Sequence, residues 1–179
     1  MKLRKGSLDA TGLAVGIVAS KFNKFVTSRL LTECVKALTK AGASDEAIEV
    51  VRVPGAFEIP LVARQLARSG RFDAVICLGA VIRGDTPHFE YISTEVSRGI
   101  LQASMDSNLP VIFGVLTTDT VAQAIERADP AKLNRGADAA KTAIEMVNVM
   151  RQLKKEESED VPPAASSRKS GRAAARSKR

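Results

Sequence analysis

The segment Gly79-Ala-Val-Ile-Arg-Gly-Asp-Thr-Pro-His88 combines groups that can bind an anion with one that can carry a proton. Gly84 permits a tight turn, Thr86 can cap a helix, and Pro87 suits a first helical position, where its missing N–H would be unpaired anyway. The free N–H groups of a helix start attract anions, and Arg83 adds positive charge. We therefore expect a phosphate-bearing ligand here, although a capped helix start without a ligand is the more frequent explanation of such a motif.

His88 is the single histidine of the chain and lies in the first turn of the predicted helix. Imidazole gives and takes protons near neutral pH, so this side chain is a candidate proton carrier. A lone histidine is more often a surface or packing residue. Its candidacy therefore depends on whether the fold places it at a binding edge.

A second unusual stretch is Pro54-Gly-Ala-Phe-Glu-Ile-Pro60, which puts an aromatic ring and a carboxylate between two prolines. Both side chains, Phe57 and Glu58, could line a pocket. Phe22 and Phe113 supply further rings. A flat heteroaromatic ligand could stack among such rings while nearby backbone amides bond its edges, here those near Ala56 and Val81. For Phe113 a core position is an equally good explanation, whereas Phe22 sits among polar residues.

Four apolar runs separate these features, at residues 13–19, 48–53, 74–82 and 111–116. Apolar residues without alternation are typical of strands covered on both faces by helices. Run 48–53 is the most polar, which predicts a position at the edge of the sheet. Ligands bind at the carboxyl ends of such parallel strands, and the most unusual residues of the sequence follow the ends of the predicted strands.

Apolar residues recur at helical spacing between the runs, as in Val26, Leu30 and Cys34. Shorter helices are predicted from Glu58 towards Arg68 and over residues 121–127, and a last one carries Ile144 on its apolar face. The alternation predicts a flavodoxin-like α/β fold of three layers (αβα), in which a parallel sheet of four main strands has helices on both faces.

The composition predicts one domain, residues 1–153, followed by a basic tail, residues 154–179, that cannot bury enough surface to become ordered. The tail holds eight Lys and Arg against four Asp and Glu, out of a net charge of +7 for the chain. No apolar run is long enough to span a bilayer and no signal-peptide stretch follows the N-terminus, which predicts a cytoplasmic protein. Neither Cys34 nor Cys77 has the spacing of a zinc or redox site, and no metal cluster, dinucleotide turn or P-loop is visible.

Several stretches in register resemble the lumazine synthase family. The two most specific are residues 53–60 and 79–88, and the resemblance covers about residues 10–153. Further matching stretches lie at residues 20–23, 110–118, 123–127 and 134–136.

The resemblance implies a transferase of riboflavin biosynthesis. It condenses 5-amino-6-(D-ribitylamino)uracil with 3,4-dihydroxy-2-butanone 4-phosphate to 6,7-dimethyl-8-ribityllumazine, releases phosphate and water, and needs no cofactor. The resemblance also implies which residues bind the pyrimidine ring and its ribityl chain: Phe22, Ala56, Phe57, Glu58, Ala80, Val81, Ile82 and Phe113. It implies that Asp85, Thr86 and Arg127 bind the phosphate and that His88 shuttles protons.

The resemblance further implies a homo-oligomer, either a pentamer or an icosahedral assembly of twelve pentamers. Each site would lie between neighbouring subunits, with Phe113 and Arg127 coming from the neighbour. Arg135 stands where many members carry Lys, which leaves its contact to substrate open.

Two alternatives remain at the level of sequence. The same fold class also holds non-catalytic flavin- or nucleotide-binding modules, because its strand ends suit such ligands. The basic tail could contact a polyanion such as nucleic acid, or could only increase solubility, since no aromatic residues alternate with its charges.

Overall fold

The computed structural model describes the main chain of residues 1–159 and the side chains of residues 1–156. It contains a parallel sheet of four strands in the order β2-β1-β3-β4. The strands are β1 (Val15–Ser20), β2 (Ile48–Val53), β3 (Ala74–Ile82) and β4 (Val111–Thr118). The predicted sheet is confirmed, and so is the edge position of β2.

Helices cover both faces of the sheet, as the absence of polar alternation in the strands predicted. They are α1 (Lys24–Lys40), α2 (Ile59–Ala67), α3 (His88–Ser107), α4 (Val121–Ala128) and α5 (Arg135–Glu159), with a short 3₁₀ turn at Asp45–Ala47. The sheet has one hydrophobic core on each face, because successive side chains of a strand point to opposite faces. Ile76 and Leu78 of β3 pack with α1, α4 and α5, whereas Val75 and Cys77 pack with α2 and α3.

Differences from the predicted elements are confined to their ends. Strand β1 begins at Val15 rather than at residue 13, and β4 continues past Leu116 to Thr118. This extension lengthens the ladder between β3 and β4, which pairs Ile82 with Thr118. The two strands therefore end side by side, and so do the loops that follow them.

Helix α5 continues beyond Leu153 to Glu159, into the segment that lacks apolar periodicity. The N-terminal segment packs along it: the Asn148 amide donates to the carbonyls of Ser7 and Asp9, and the Gln152 amide donates to the carbonyl of Lys5. Charged contacts of Glu156 with Lys2 and Arg4 lie further along the helix. The rest of the predicted tail, residues 160–179, lies outside the described residues.

Within the described residues, no helix is long and apolar enough to cross a membrane. In the same part of the chain, no group of three or more His, Cys, Asp or Glu side chains is arranged to hold a metal ion.

Candidate active site

The loops after β1 and β2 are joined by backbone hydrogen bonds. The Lys21 amide donates to the Val53 carbonyl at 2.7 Å, and the Phe22 amide donates to the Pro54 carbonyl at 3.0 Å. Asn23 adopts a left-handed conformation with φ 54°, which asparagine tolerates better than most residues. Its side-chain amide donates to the Ala80 carbonyl at 2.9 Å. The loop that carries Phe22 is thus attached to both neighbouring strand ends, and the ring is left 69% exposed.

The loop after β2 is closed by one of its own side chains. The Gly55 amide donates to Oε2 of Glu58 at 2.8 Å, and the Ile59 amide donates to the Ala56 carbonyl at 3.1 Å as α2 begins. The Glu58 carboxylate therefore supports the loop in addition to facing the cavity described below. Phe57 is 57% exposed, so its ring is not part of the core.

The loop after β3 leads into an uncapped helix. Helix α3 begins at His88, and Pro87 precedes it with helical backbone angles. No side chain of the described residues caps this turn. The sequence predicted a cap from Thr86 and a helix start at Pro87. The difference has a consequence for binding, because first-turn N–H groups without a capping side chain are free to meet an anion.

The tight turn expected at Gly84 does not depend on a left-handed glycine. The φ of Gly84 lies outside the left-handed region, and a Cβ added to it would meet no atom within 4 Å. Neither the backbone nor packing therefore demands glycine. The open space belongs to the cavity that Gly84 lines.

These three loops surround a cavity of about 340 Å³, a size typical of small-molecule sites. Nearly all the predicted ring- and chain-binding residues line it, together with Thr86 and His88: Phe22, Ala56, Phe57, Glu58, Ala80, Val81 and Ile82. The sequence did not single out Asn23, Phe89 or Ile92, which also line it. Ile92 lies one turn after His88, a spacing that could have indicated it.

Two of the remaining predicted residues lie elsewhere. Phe113 and Arg127 line a second cavity of about 530 Å³ between β4 and α5, and the two cavities share no residue. Phe113 pairs with Cys77 of β3, three residues before Ala80, which corresponds to about 10 Å along a strand. Strand β4 is the edge strand opposite β2, and the Phe113 side chain is 45% exposed on it. Asp85 is exposed and lines neither cavity.

The side chains of Arg127 and Arg135 have different hydrogen-bond partners. Arg135 pairs with the Asp138 carboxylate at 3.2 Å. Half-buried Arg127 donates only to the Gln123 carbonyl of its own helix, at 3.3 Å, and has no carboxylate partner among the described residues. Of the two cations that line the second cavity, Arg127 is therefore the one whose charge is uncompensated.

The expectation that Arg83 adds charge to the anion site is wrong. Its Nε donates to Asp119 Oδ1 and its Nη1 to Glu90 Oε1, both at 2.7 Å. These bonds, to Asp119 first and Glu90 second, raise the pKa of the Arg83 guanidinium. Arg83 does not line the cavity, since two carboxylates from a loop and a helix hold its side chain outside it. Sequence reasoning missed this because Asp119 is distant along the chain.

The cysteines are buried thiols, as predicted. Cys34 belongs to α1 and lies in the core on one face of the sheet. Cys77 of β3 lies in the core on the opposite face, and neither cysteine forms a disulfide. Burial raises the pKa of Cys34 to about 12 and that of Cys77 further. Both remain protonated near neutral pH, so neither is available as a nucleophile.

Comparison with known proteins decides the family. Residues 12–151 match the family model described as 6,7-dimethyl-8-ribityllumazine synthase. The chain belongs to the lumazine synthase family. It is similar to a 6,7-dimethyl-8-ribityllumazine synthase of Syntrophus aciditrophicus, with 61% identity over 149 residues that cover 83% of this chain and 97% of that protein. The matched region of this lumazine synthase homologue contains every strand and every loop that lines the two cavities.

Proposed function

We propose that the protein is a transferase of riboflavin biosynthesis that forms 6,7-dimethyl-8-ribityllumazine from 5-amino-6-(D-ribitylamino)uracil and 3,4-dihydroxy-2-butanone 4-phosphate. The observation that carries the proposal is the cavity in which exposed aromatic rings, backbone amides and His88 converge at an uncapped helix start, in a chain of this family. Membership of an enzyme family favours catalysis over a non-catalytic flavin- or nucleotide-binding module.

The first part of the cavity suits the pyrimidine and its ribityl chain. Phe22 offers a ring face that is held in place by the loop contacts on either side, so the pyrimidine stacks on it. Amides and carbonyls near Ala80, Val81 and Ile82 meet the polar edges of the ring, and the turn around Ala56 to Glu58 holds the hydroxyl groups of the chain.

The helix start suits the phosphate. The first-turn N–H groups near Thr86 are free of side-chain caps and stand at the positive end of α3. Asp85 contributes through the backbone of the same loop, since its carboxylate would repel a phosphate. Arg127 supplies the guanidinium, whose planar donors match phosphate oxygens.

We infer that His88 moves the protons of the reaction, because it lines the cavity. The exocyclic amine of the pyrimidine attacks the ketone carbon, and loss of water leaves an imine. The imine acidifies the C–H of the neighbouring carbon, and removal of that proton expels phosphate from the next carbon. The elimination leaves an enol, which becomes a ketone when its terminal carbon gains a proton and its hydroxyl loses one. The ribityl-bearing nitrogen attacks that ketone carbon, and loss of water closes the ring. An imidazole at the cavity wall can take the proton in the elimination step and return it to a leaving oxygen.

We infer that the complete site is built from two chains. Phe113 and Arg127 line a cavity that is separate from the one containing His88, so a single chain presents two half-sites. A neighbouring copy that brings its β4 edge to the first cavity would complete the site, and repetition of this head-to-tail contact closes a ring. We propose a pentamer, alone or as twelve pentamers in a shell. The mass of the native particle distinguishes these two states.

Mixing the two substrates with the protein tests the activity, because the product absorbs where the substrates do not. His88→Ala tests the shuttle. We expect kcat to fall about 10²-fold, since the general acid–base group is lost, with the pyrimidine affinity nearly unchanged. An unchanged kcat would refute the role of His88. A binding module without catalysis would bind the pyrimidine but form no lumazine with either variant.

Two further proposals concern the surroundings of this enzyme. A cytoplasmic location is supported by the two unpaired, buried cysteines, which suit a reducing compartment. Contact of the basic tail with a polyanion remains a prediction from its charges. Deleting residues 160–179, which leaves α5 intact, should abolish salt-dependent retention on nucleic acid and spare catalysis. Retention that survives the deletion would exclude the tail as the contact.

A further inference from the structure

We propose that Arg83 is a positioning residue that fixes the first turn of α3, and with it His88, against the end of the sheet. The inference rests on the proposed role of His88 in lumazine formation. It concerns a side chain outside the cavity, which acts through its neighbours and not on the substrates.

The main chain of Arg83 is hydrogen-bonded to the end of the sheet. Its amide donates to the Thr118 carbonyl at 2.9 Å, which continues the ladder between β3 and β4 by one more bond. The guanidinium therefore starts from a fixed point of the sheet. Asp119, the residue after β4, accepts from its Nε and limits the directions in which the side chain can point.

The other contacts of the guanidinium are with the first turn of α3. Nη1 donates to Glu90, and the guanidinium carbon lies 4.4 Å from the ring centroid of Phe89. These two residues directly follow His88, and the Phe89 ring lines the cavity beside it. One side chain thus binds the turn at two adjacent points without itself lining the cavity.

The clamp formed by Arg83, Asp119, Glu90 and Phe89 matters because, among the described residues, no other side-chain ion pair holds the first turn of α3. No side chain caps the start of α3, and an uncapped first turn frays easily. A planar guanidinium that engages two carboxylates and one ring fixes orientation better than a single ion pair does. The three charged side chains are 44–66% exposed, and exposed pairs contribute little to overall stability. The clamp should therefore affect geometry at His88 more than folding.

The chain contains a matched control. Arg71 also pairs with a carboxylate, Glu49, and lies over a phenylalanine, Phe72, at 4.7 Å from the ring centroid. This group precedes β3, whereas the clamp follows it, so the two stand at opposite ends of the strand. Arg71→Met therefore removes an ion pair and a ring contact of the same kind at the end of β3 that is away from the cavity.

The experiment compares Arg83→Met, Arg83→Lys, Glu90→Gln and Asp119→Asn with Arg71→Met in steady-state lumazine formation. We expect Arg83→Met to lower kcat about 10–100-fold, because displacements of the order of 1 Å at a catalytic group have effects of this size. KM for both substrates should stay within about twofold. Arg83→Lys should recover part of the loss, each carboxylate variant should lower kcat in the same direction, and Arg71→Met should match the wild type.

A phosphate-binding role for Arg83 predicts a different pattern. Arg83→Met would then raise KM for the phosphate substrate, and Glu90→Gln or Asp119→Asn would lower it by freeing the guanidinium. That pattern overturns the positioning role, as does an unchanged kcat in Arg83→Met or an equal loss in Arg71→Met. If Arg83→Met does not fold, the two carboxylate variants decide the question, since they retain the arginine.

A measurement without substrate completes the test. The chain has one tyrosine and no tryptophan, so its intrinsic emission reports on Tyr91, which follows Glu90 in α3. Loosening the turn should lower the emission anisotropy in Arg83→Met but not in Arg71→Met, and equal anisotropy in both would contradict the clamp. Failure of the wild type to form lumazine would instead refute the proposed function.

Discussion

Mixed assemblies test the division of the site between two chains. We consider His88→Ala, which disables the first cavity, and Arg127→Met, which disables the second. Each variant alone should be nearly inactive. Because the cavities share no residue, a site stays intact only where a chain with an unaltered first cavity meets a neighbour with an unaltered second cavity.

The expected recovery follows from counting neighbours. In a head-to-tail ring built from equal amounts of the two variants, each member of an adjacent pair is the required variant half the time. About one quarter of the sites are then intact, and kcat per chain should rise to about 25% of the wild-type value. If each chain instead built a complete site by itself, every site would carry a defect and no activity would return.

A control places both substitutions in one chain and mixes it equally with the wild type. Sites shared between chains predict about one quarter of full activity, whereas sites within one chain predict about one half. The variants are co-expressed with different tags or refolded together, lumazine formation is followed by absorbance, and native mass spectrometry verifies mixing. Mixed particles with no more activity than the mean of the two parents would refute the two-chain site.

Two further predictions concern glycine positions and thiols. Gly84→Ala should fold with unchanged or slightly higher stability, by up to about 1 kcal/mol, yet raise KM for the phosphate substrate, because the added methyl meets only cavity space. Gly136→Ala should cost about 1–3 kcal/mol in chemical denaturation, because its Cβ would lie 2.3 Å from the Leu30 carbonyl oxygen; the reverse ranking of the two variants would contradict the packing. Cys34 and Cys77 should resist thiol reagents at pH 8 until the protein unfolds. Since the unfolded thiols lose protons near the ordinary pKa of 9.0 while folded Cys34 holds its proton to about 12, the free energy of unfolding should fall as pH rises above 9; rapid native labelling, or stability that increases there, would refute this.

Much of the fold was predictable because it depends on local pattern. The apolar runs at 48–53 and 74–82 coincide with β2 and β3, and the polar residues of the first run correctly indicated a sheet edge. Helices α2 and α4 also begin and end within a residue or so of their predicted bounds. Strand and helix preferences act over a few residues, so they can be read without knowing what packs against them.

The chemistry at the ends of the strands was partly predictable for the same reason. Parallel strands bring their following loops to one edge, which was enough to gather Phe22, Glu58 and His88 around one cavity. The charge around the helix start and the capping of its first turn were harder to predict from the sequence. The sequence presents Arg83 as a free cation next to a helix start, whereas its partner Asp119 follows a different strand and cancels that charge.

The sequence alone therefore determined the succession of strands and helices along the chain, the binding edge and the family that the motifs resemble. Each of these is encoded by residues that are neighbours in the chain. Only the tertiary structure decided that Asn23, Phe89 and Ile92 also line the first cavity. Phe113 and Arg127, which the resemblance assigns to the neighbouring subunit, lie on the edge strand β4 and on α4, apart from the first cavity. That separation arises from the strand register and the sheet order, which depend on contacts between residues far apart in the chain.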